Sequence, residues 1–129
     1  MGFNIADTDK KRVVIIGGGF GGLKLANRLK GSNFQIVLID KNNYHQFPPL
    51  LYQVASSGLE SSSISFPFRK IFQKRKDFYF RLAEVKAVVR EKNLILTSIG
   101  ELKYDYLIIA SGTVTNFFGN EVIQSRALP

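Results

Sequence analysis

Three features of the sequence predict an α/β fold: a three-layer sandwich built on a parallel sheet, with a three-stranded antiparallel meander inserted into it. The first is the stretch from Arg12 to Asp40, which reads as strand, glycine turn, helix and second strand. The second is a set of three short alternating segments between Glu84 and Tyr104, joined by turns too short for a helical crossover. The third is a return to an apolar run, Asp105-Tyr106-Leu107-Ile108-Ile109-Ala110, that leads into Ser111-Gly112-Thr113.

Each element has a local reason. Residues 1–11 are polar and read as a flexible leader, so the domain is expected to occupy residues 12–129. Val13-Val14-Ile15-Ile16 is continuously β-branched, as in a strand buried on both faces of a parallel sheet. Residues 20–30 alternate Leu23, Leu25, Ala26 and Leu29 with Lys24, Asn27, Arg28 and Lys30, which predicts an amphipathic helix stopped by Gly31. Residues 35–40 form the second parallel strand. Lys41 to Gln46 is polar and turn-prone, Pro48-Pro49 interrupts regular structure, and Leu50 to Ala55 makes a short helix ending near Gly58. Another helix runs from Pro67 to about Lys74 with Phe68, Ile71 and Phe72 inward, followed by a third parallel strand at Asp77–Arg81. In the meander, Val85, Ala87 and Val89 share one face of the first strand, and Leu94 and Leu96 oppose Ile95 and Thr97 in the second. Residues 105–110 read as one more buried strand.

The 129 residues suffice for one domain with a core. They are short for a complete enzyme with a substrate domain, so the sequence is expected to be part of a longer chain. With no cysteine, disulfides, thiolate metal sites and a dithiol redox pair are excluded within it, and one histidine is too few for a histidine-based metal site. No signal peptide or membrane-spanning run stands out, so a soluble, cytoplasmic chain is expected. Eighteen Lys and Arg against ten Asp and Glu leave a net charge of +8, which attracts polyanions. Much of it sits in Arg69-Lys70 and Lys74-Arg75-Lys76. That run reads as a solvated helix face or as a surface for an anionic membrane. Nucleic acid is not an expected partner, since no nucleic-acid-binding module is present.

Five glycines in the six positions 17–22 call for a chemical explanation. Gly17 allows a sharp turn at the strand end, Gly19 lets a pyrophosphate approach the backbone, and Gly22 lets the helix pack closely on the sheet. The helix N-terminus offers free N–H groups and a positive dipole end to phosphates. Asp40, at the end of the second strand, is placed to accept hydrogen bonds from ribose hydroxyls and would repel a 2′-phosphate. Lys41 faces phosphate, ribose or solvent. Strand, glycine turn, helix, strand and acid together mark a Rossmann-like dinucleotide site.

The meander distinguishes FAD from NAD, because a plain NAD domain continues strand–helix–strand. The chain resembles the first domain of flavoproteins with two dinucleotide-binding domains, which holds FAD, contains such a meander and closes with an Ala-Thr-Gly turn beside the cofactor. Here that turn is Ala110-Ser111-Gly112, where serine keeps the hydroxyl. The resemblance implies a Rossmann-like FAD/NAD(P)-binding three-layer sandwich.

Asp40-Lys41-Asn42-Asn43-Tyr44-His45-Gln46-Phe47-Pro48-Pro49-Leu50-Leu51-Tyr52-Gln53-Val54-Ala55, and Thr115-Asn116-Phe117-Phe118-Gly119-Asn120, resemble type II NADH:quinone oxidoreductases. The resemblance covers residues 12–129 and implies the N-terminal, FAD-binding portion, with the NADH domain and C-terminal membrane-anchoring region lying outside it. It implies a non-proton-pumping respiratory-chain flavoprotein, peripheral on the inner face of the cell membrane. Hydride would pass from NADH to flavin N5, and the reduced flavin would reduce a quinone. By that analogy Gly17, Gly19, Phe20, Gly21, Gly22, Asp40 and Lys41 hold FAD. Val85 lies by the adenine through its backbone, and Ala110, Ser111 and Gly112 by the pyrophosphate. The stretch from Tyr44 to Gln53 runs beside the flavin. Gln53 either hydrogen-bonds the flavin or ribityl chain or caps its short helix. NADH and quinone would be met through the missing part, and a homodimer is compatible with the full-length form.

No nucleophile–base pair or paired carboxylates emerge, so no catalytic residue is assigned; the flavin would carry the redox chemistry. His45 reads first as a hydrogen-bonded structural residue. Tyr44, Phe47 and Tyr52 read as packing, and Phe117-Phe118-Gly119 as a hydrophobic lid or simple turn packing. A disulfide reductase is set aside for want of cysteine. The alternatives are a ferredoxin or rubredoxin reductase relative, a non-catalytic FAD-binding module, and a polyanion-binding protein. The 129 residues alone are expected to show no turnover.

Overall fold

The computed structural model describes residues 2–127. The chain begins with β1 (Lys11–Ile16), α1 (Phe20–Arg28), β2 (Phe34–Asp40) and β3 (Tyr44–Gln46). A 3-10 turn (Pro48–Leu50) leads into α2 (Leu51–Ala55), and another (Ser61–Ile64) into β4 (Ser65–Pro67) and α3 (Phe68–Ile71). Then come β5 (Phe78–Leu82), β6 (Val85–Val89), a 3-10 turn (Arg90–Lys92), β7 (Leu94–Thr97), β8 (Gly100–Lys103), β9 (Tyr106–Ile109) and α4 (Glu121–Arg126).

The main sheet has the order β5-β2-β1-β9 and every pairing in it is parallel. Alternation along the strands divides its side chains between two cores. Val13, Ile15, Ile36 and Leu38 pack with Ala26, Phe68 and Phe72 beneath the helices. Val14, Val37 and Ile39 pack with Ile95 and Leu102 of the antiparallel β6-β7-β8 sheet. Helices, parallel sheet and meander are therefore the three layers expected. Strands buried on both faces need unbroken apolar runs, which β1 supplies at residues 13–16 and β2 at residues 36–39. Each such side chain contributes about 1.5–3 kcal/mol by leaving water.

Several expectations are corrected. The leader is not loose: Phe3 is buried in the meander core, the Phe3 and Asn4 carbonyls accept from Arg81, and the Ala6 carbonyl accepts from Gln35. An apolar residue and a few carbonyls suffice to tie down a segment that has no periodicity to read. Of the leader and domain ranges, Met1, Leu128 and Pro129 lie outside the described residues.

In β6 the expected face of Val85, Ala87 and Val89 is broken by a register shift between Val85 and Ala87. The irregularity turns Ala87 outward and puts Val88 with Val85 against the core. The last strand is not buried throughout: Leu107 and Ile108 face the two cores, but Tyr106 is 53% and Ile109 66% exposed. Among the described residues it pairs only with β1, at one edge of the sheet.

The segment read as turn-prone at 41–46 contains β3, which pairs antiparallel with β4. The helix after Pro67 is shorter than expected, one turn plus a bend, yet Phe68 and Phe72 point inward as its spacing requires. α4 has no counterpart among the expected elements; it is capped by the Asn120 side chain, whose Oδ1 accepts from the Ile123 N–H at 3.0 Å. No helix among the described residues is long and apolar enough to cross a membrane.

Candidate functional site

A cleft of about 1120 Å³ opens at the carboxyl ends of the parallel strands. Its walls come from the turns after β1, β2, β5 and β9: Gly17 to Phe20, Asp40 to Asn42, Ala83 to Val85, and Ser111 to Asn116. Tyr44, His45, Gln46 and Pro48 close one side. The chain reaches β5 on one side of β1 and returns to β9 on the other, so the cleft lies where the strand order reverses. Open parallel sheets bind ligands at that place.

The glycine turn is held tightly at three of its residues and open at a fourth. Gly17 has φ +99°, and a Cβ there would meet the Ala110 carbonyl oxygen at 2.2 Å. A Cβ on Gly18 would lie 2.2 Å from Phe68 Cζ, and one on Gly22 1.8 Å from the Gly17 carbonyl oxygen. At Gly19 a Cβ would meet nothing within 4 Å. The first three glycines are required by the protein's own packing. Gly19 is not, although it lines the cleft. The N-cap position of α1 is Gly19 itself, no side chain caps the helix, and no acid stands in its first turn. Its first N–H groups are therefore available to an anion.

Asp40 is held from both sides. One carboxylate oxygen accepts from the Gly18 N–H at 2.6 Å and the other from the Asn42 N–H at 2.7 Å. A carboxylate has about four acceptor positions, so each oxygen keeps capacity for a ligand hydroxyl. His45 is buried, with Nδ1 2.9 Å from the Gly18 carbonyl oxygen and its ring edge-to-face with Phe20 at 5.5 Å. It is thus a hydrogen-bonded structural residue, as read from the sequence. Phe20 also meets Phe47 edge-on at 5.3 Å, so these aromatics pack on one another at the mouth of the turn.

Of the residues singled out in the sequence, Gly17, Gly19, Phe20, Asp40, Lys41, Val85, Ser111 and Gly112 line the cleft together. Gly21 and Gly22 lie just behind them in α1. Ala110 supports the turn from beneath, through the carbonyl that Gly17 approaches. Gln53 stands apart from the lining: its Nε2 donates to the Tyr52 hydroxyl at 2.9 Å, and its backbone carbonyl closes the end of α2 by accepting from Gly58 at 2.7 Å. Of the two side-chain roles considered for Gln53, the helix cap is not formed, since the amide donates to Tyr52 instead. Gly18, Glu84 and Thr113 line the cleft without having been singled out. The signal for them was positional, since each follows the carboxyl end of a parallel strand.

The basic run is not uniformly a solvated face. Arg69, Lys70, Lys74 and Lys76 are exposed, but Arg75 donates to the Ala26 carbonyl at 2.6 Å and lies 4.6 Å from the centre of the Phe78 ring. Burial lowers its pKa from the ordinary value. Phe118, considered as a lid or as turn packing, is 91% exposed.

The cleft suits a dinucleotide in size, in its exposed helix N-terminus and in the opening at Gly19, and the comparisons with known proteins agree. A type II NADH:quinone oxidoreductase of Mycobacterium tuberculosis is 39% identical over 87% of this chain and 25% of its own. One from Staphylococcus aureus is 30% identical over 92% of this chain and 30% of its own. The chain thus spans about a quarter of the length of the curated relatives it matches. Among solved structures, NDH2 of Plasmodium falciparum, in complex with NADH, superposes with a TM-score of 0.80 at 28% identity, covering 89% of this chain and 25% of that one. Sulfide:quinone oxidoreductase of Aquifex aeolicus gives a TM-score of 0.77 at 31% identity, covering 83% and 25%. The family model described as pyridine nucleotide-disulphide oxidoreductase matches residues 11–125. This chain belongs to the pyridine nucleotide-disulphide oxidoreductase family.

Proposed function

We propose that this chain is the FAD-binding part of an oxidoreductase that passes electrons from NADH through flavin to a membrane quinone. The observation that carries the reading is the cleft, where an uncapped helix N-terminus, an unobstructed Gly19 and an oriented Asp40 converge. In this reading the N–H groups of Gly19, Phe20 and Gly21 receive the pyrophosphate, with Gly17 and Gly22 shaping the turn. Asp40 takes the ribose hydroxyls, Lys41 adds positive charge, and the Val85 backbone borders the adenine. Ser111 and Gly112 close over the phosphates, on a turn supported by Ala110. When bound, the flavin supplies the redox chemistry. The chain's own residues hold it, orient it and partly shield it from water.

The quinone reading rests on the likeness to NADH:quinone oxidoreductases and on the exposed cations Arg69, Lys70, Lys74 and Lys76. A peripheral position on the inner face of the cell membrane brings such cations to anionic lipid and the site to a lipid-soluble acceptor. The likeness to sulfide:quinone oxidoreductase favours a second reading, a quinone reductase with a different electron donor.

Equilibrium titration tests the cofactor. Quenching of FAD fluorescence by the protein, reversed by ADP and absent with FMN, is the expected result, because the cleft is read as holding the ADP half. Equal binding of FMN, or none of FAD, would sink the assignment. Anaerobic bleaching of the whole protein's flavin absorbance by NADH, against sulfide, separates the two donors.

A further inference from the structure

We infer that His45 is a positioning residue for the anion-binding turn: its Nδ1–H holds the Gly18 carbonyl and thereby fixes the direction of the Gly19 N–H. The inference rests on the flavin-site reading above and adds a role for a residue that reading does not use. A carbonyl oxygen only accepts, so the 2.9 Å contact requires the proton on His45 Nδ1. No cis peptide occurs among the described residues. In a trans peptide the carbonyl of one residue and the N–H of the next point in opposite directions. Anchoring the Gly18 oxygen therefore sets the plane of the Gly18–Gly19 peptide and the line along which Gly19 can donate.

The anchor is itself well placed. His45 is the middle residue of β3, paired with Phe66 of β4, and Phe20 packs against its ring. Gly18 is gripped at its other polar atom as well, since its N–H donates to Asp40 at 2.6 Å. Phe68 stands against its Cα, where a Cβ would fall 2.2 Å from the ring. Consecutive glycines have the widest conformational choice of any chain segment. Three side chains, from β2, β3 and α3, remove that choice at Gly18 before a ligand arrives, which is preorganisation of the donors. The link is long-range, 27 residues in sequence, so helix and strand formation alone would not provide it.

The test compares His45→Phe, which keeps a ring and loses the donor, His45→Leu, which loses both, and His45→Asn, whose amide N–H stands close to where Nδ1–H stood. FAD affinity is read by fluorescence quenching, and the Gly18 and Gly19 amide signals by 1H–15N correlation spectra of the ligand-free protein. Both donor-free variants should bind FAD roughly tenfold more weakly, as for loss of one well-placed hydrogen bond, with shifted or broadened Gly19 amides. His45→Asn should recover most of the affinity and the wild-type amide position. Wild-type affinity in His45→Phe would overturn the inference. So would His45→Asn as weak as His45→Phe, because packing of the ring would then be the cause. If the wild-type protein binds no FAD, the flavin reading fails by itself. The positioning role is then decided by the ligand-free amides: unmoved in His45→Phe, they overturn it.

Discussion

The two ends of the parallel sheet are finished in opposite ways. At the amino ends, charge meets charge: Lys10 pairs with Asp77, Lys11 with Asp105 at 3.1 Å, and Arg12 with Asp7 at 2.8 Å. Gln35 lies between Arg12 and the Ala6 carbonyl, and Asp105 also accepts the Arg12 N–H at 2.7 Å. These polar side chains are answered from within the chain. At the carboxyl ends the donors are left open. The first helix starts without a cap, glycine replaces side chains, and Asp40 is bound by backbone N–H groups in place of a cation. The amino end serves to close the fold. The carboxyl end keeps hydrogen-bonding capacity in reserve, which is what a ligand needs.

The sharpest way to break that contrast is to add an apolar side chain at different glycines. Gly22→Ala places a Cβ 1.8 Å from a backbone oxygen that no rotamer change can move. It should cost about 3 kcal/mol of stability, at the upper end of ordinary overpacking, read as a lower urea midpoint. Gly17→Ala should behave alike, since it combines φ +99° with a 2.2 Å clash. Gly19→Val should leave the urea midpoint within about 1 kcal/mol of wild type, because its side chain enters open space. Its FAD affinity should instead fall at least about 100-fold, equivalent to about 2.7 kcal/mol. A Gly19→Val protein that binds FAD tightly would place the phosphates elsewhere.

Asp40→Ala comes next. It removes the acceptor expected for ribose and leaves the Gly18 N–H without its partner. FAD affinity should drop roughly 10- to 100-fold, in keeping with the loss of charge-assisted hydrogen bonds. Unchanged flavin occupancy in a fluorescence titration would remove Asp40 from the site.

The contrast also explains what could be read from the residues. β1, the glycine turn, α1 and β2 were legible because their pattern is local: β-branched runs, consecutive glycines and a 3.6-residue period. The meander was legible from alternation and short turns, down to the separation of Leu94 and Leu96 from Ile95 and Thr97 in β7, although which pair faces inward was not. Long-range partnerships were not. Nothing in Lys41–Gln46 announces that it will pair with residues 65–67, because a three-residue ladder has too little alternation to stand out. The bulge in β6 depends on how β7 pairs with it, and the packing of Phe3 depends on a hydrophobic gap that exists only once the meander is in place. The turn of the Gln53 amide to Tyr52 could not be read either, because a family motif says nothing of which neighbour a side chain chooses. In the site, residues marked by backbone demands were found, and those marked only by standing at a strand's carboxyl end, such as Glu84 and Thr113, were not.

The smallest effect is expected at the amino end. The Asp105 carboxyl is held below its usual pKa first by the Arg12 N–H and then by Lys11. A depressed carboxylate stabilises the fold above its unfolded pKa, near 4, and that contribution is lost as pH falls through the lower folded value. Because Asp105 is substantially exposed, water screens the pair and the effect is modest. Asp105→Ala should lower the melting temperature at pH 7 by about 2 °C. The gap to wild type should narrow on acidification below about pH 4, where the wild-type carboxylate also loses its charge. A gap that persists at low pH would mean that Asp105 acts through packing and not through its charge. Flavin affinity should be unchanged throughout, since the residue stands at the opposite end of the sheet from the cleft. A fall in affinity with Asp105→Ala would show that the two ends are coupled through β1 and β9, and the division of labour between them would no longer hold.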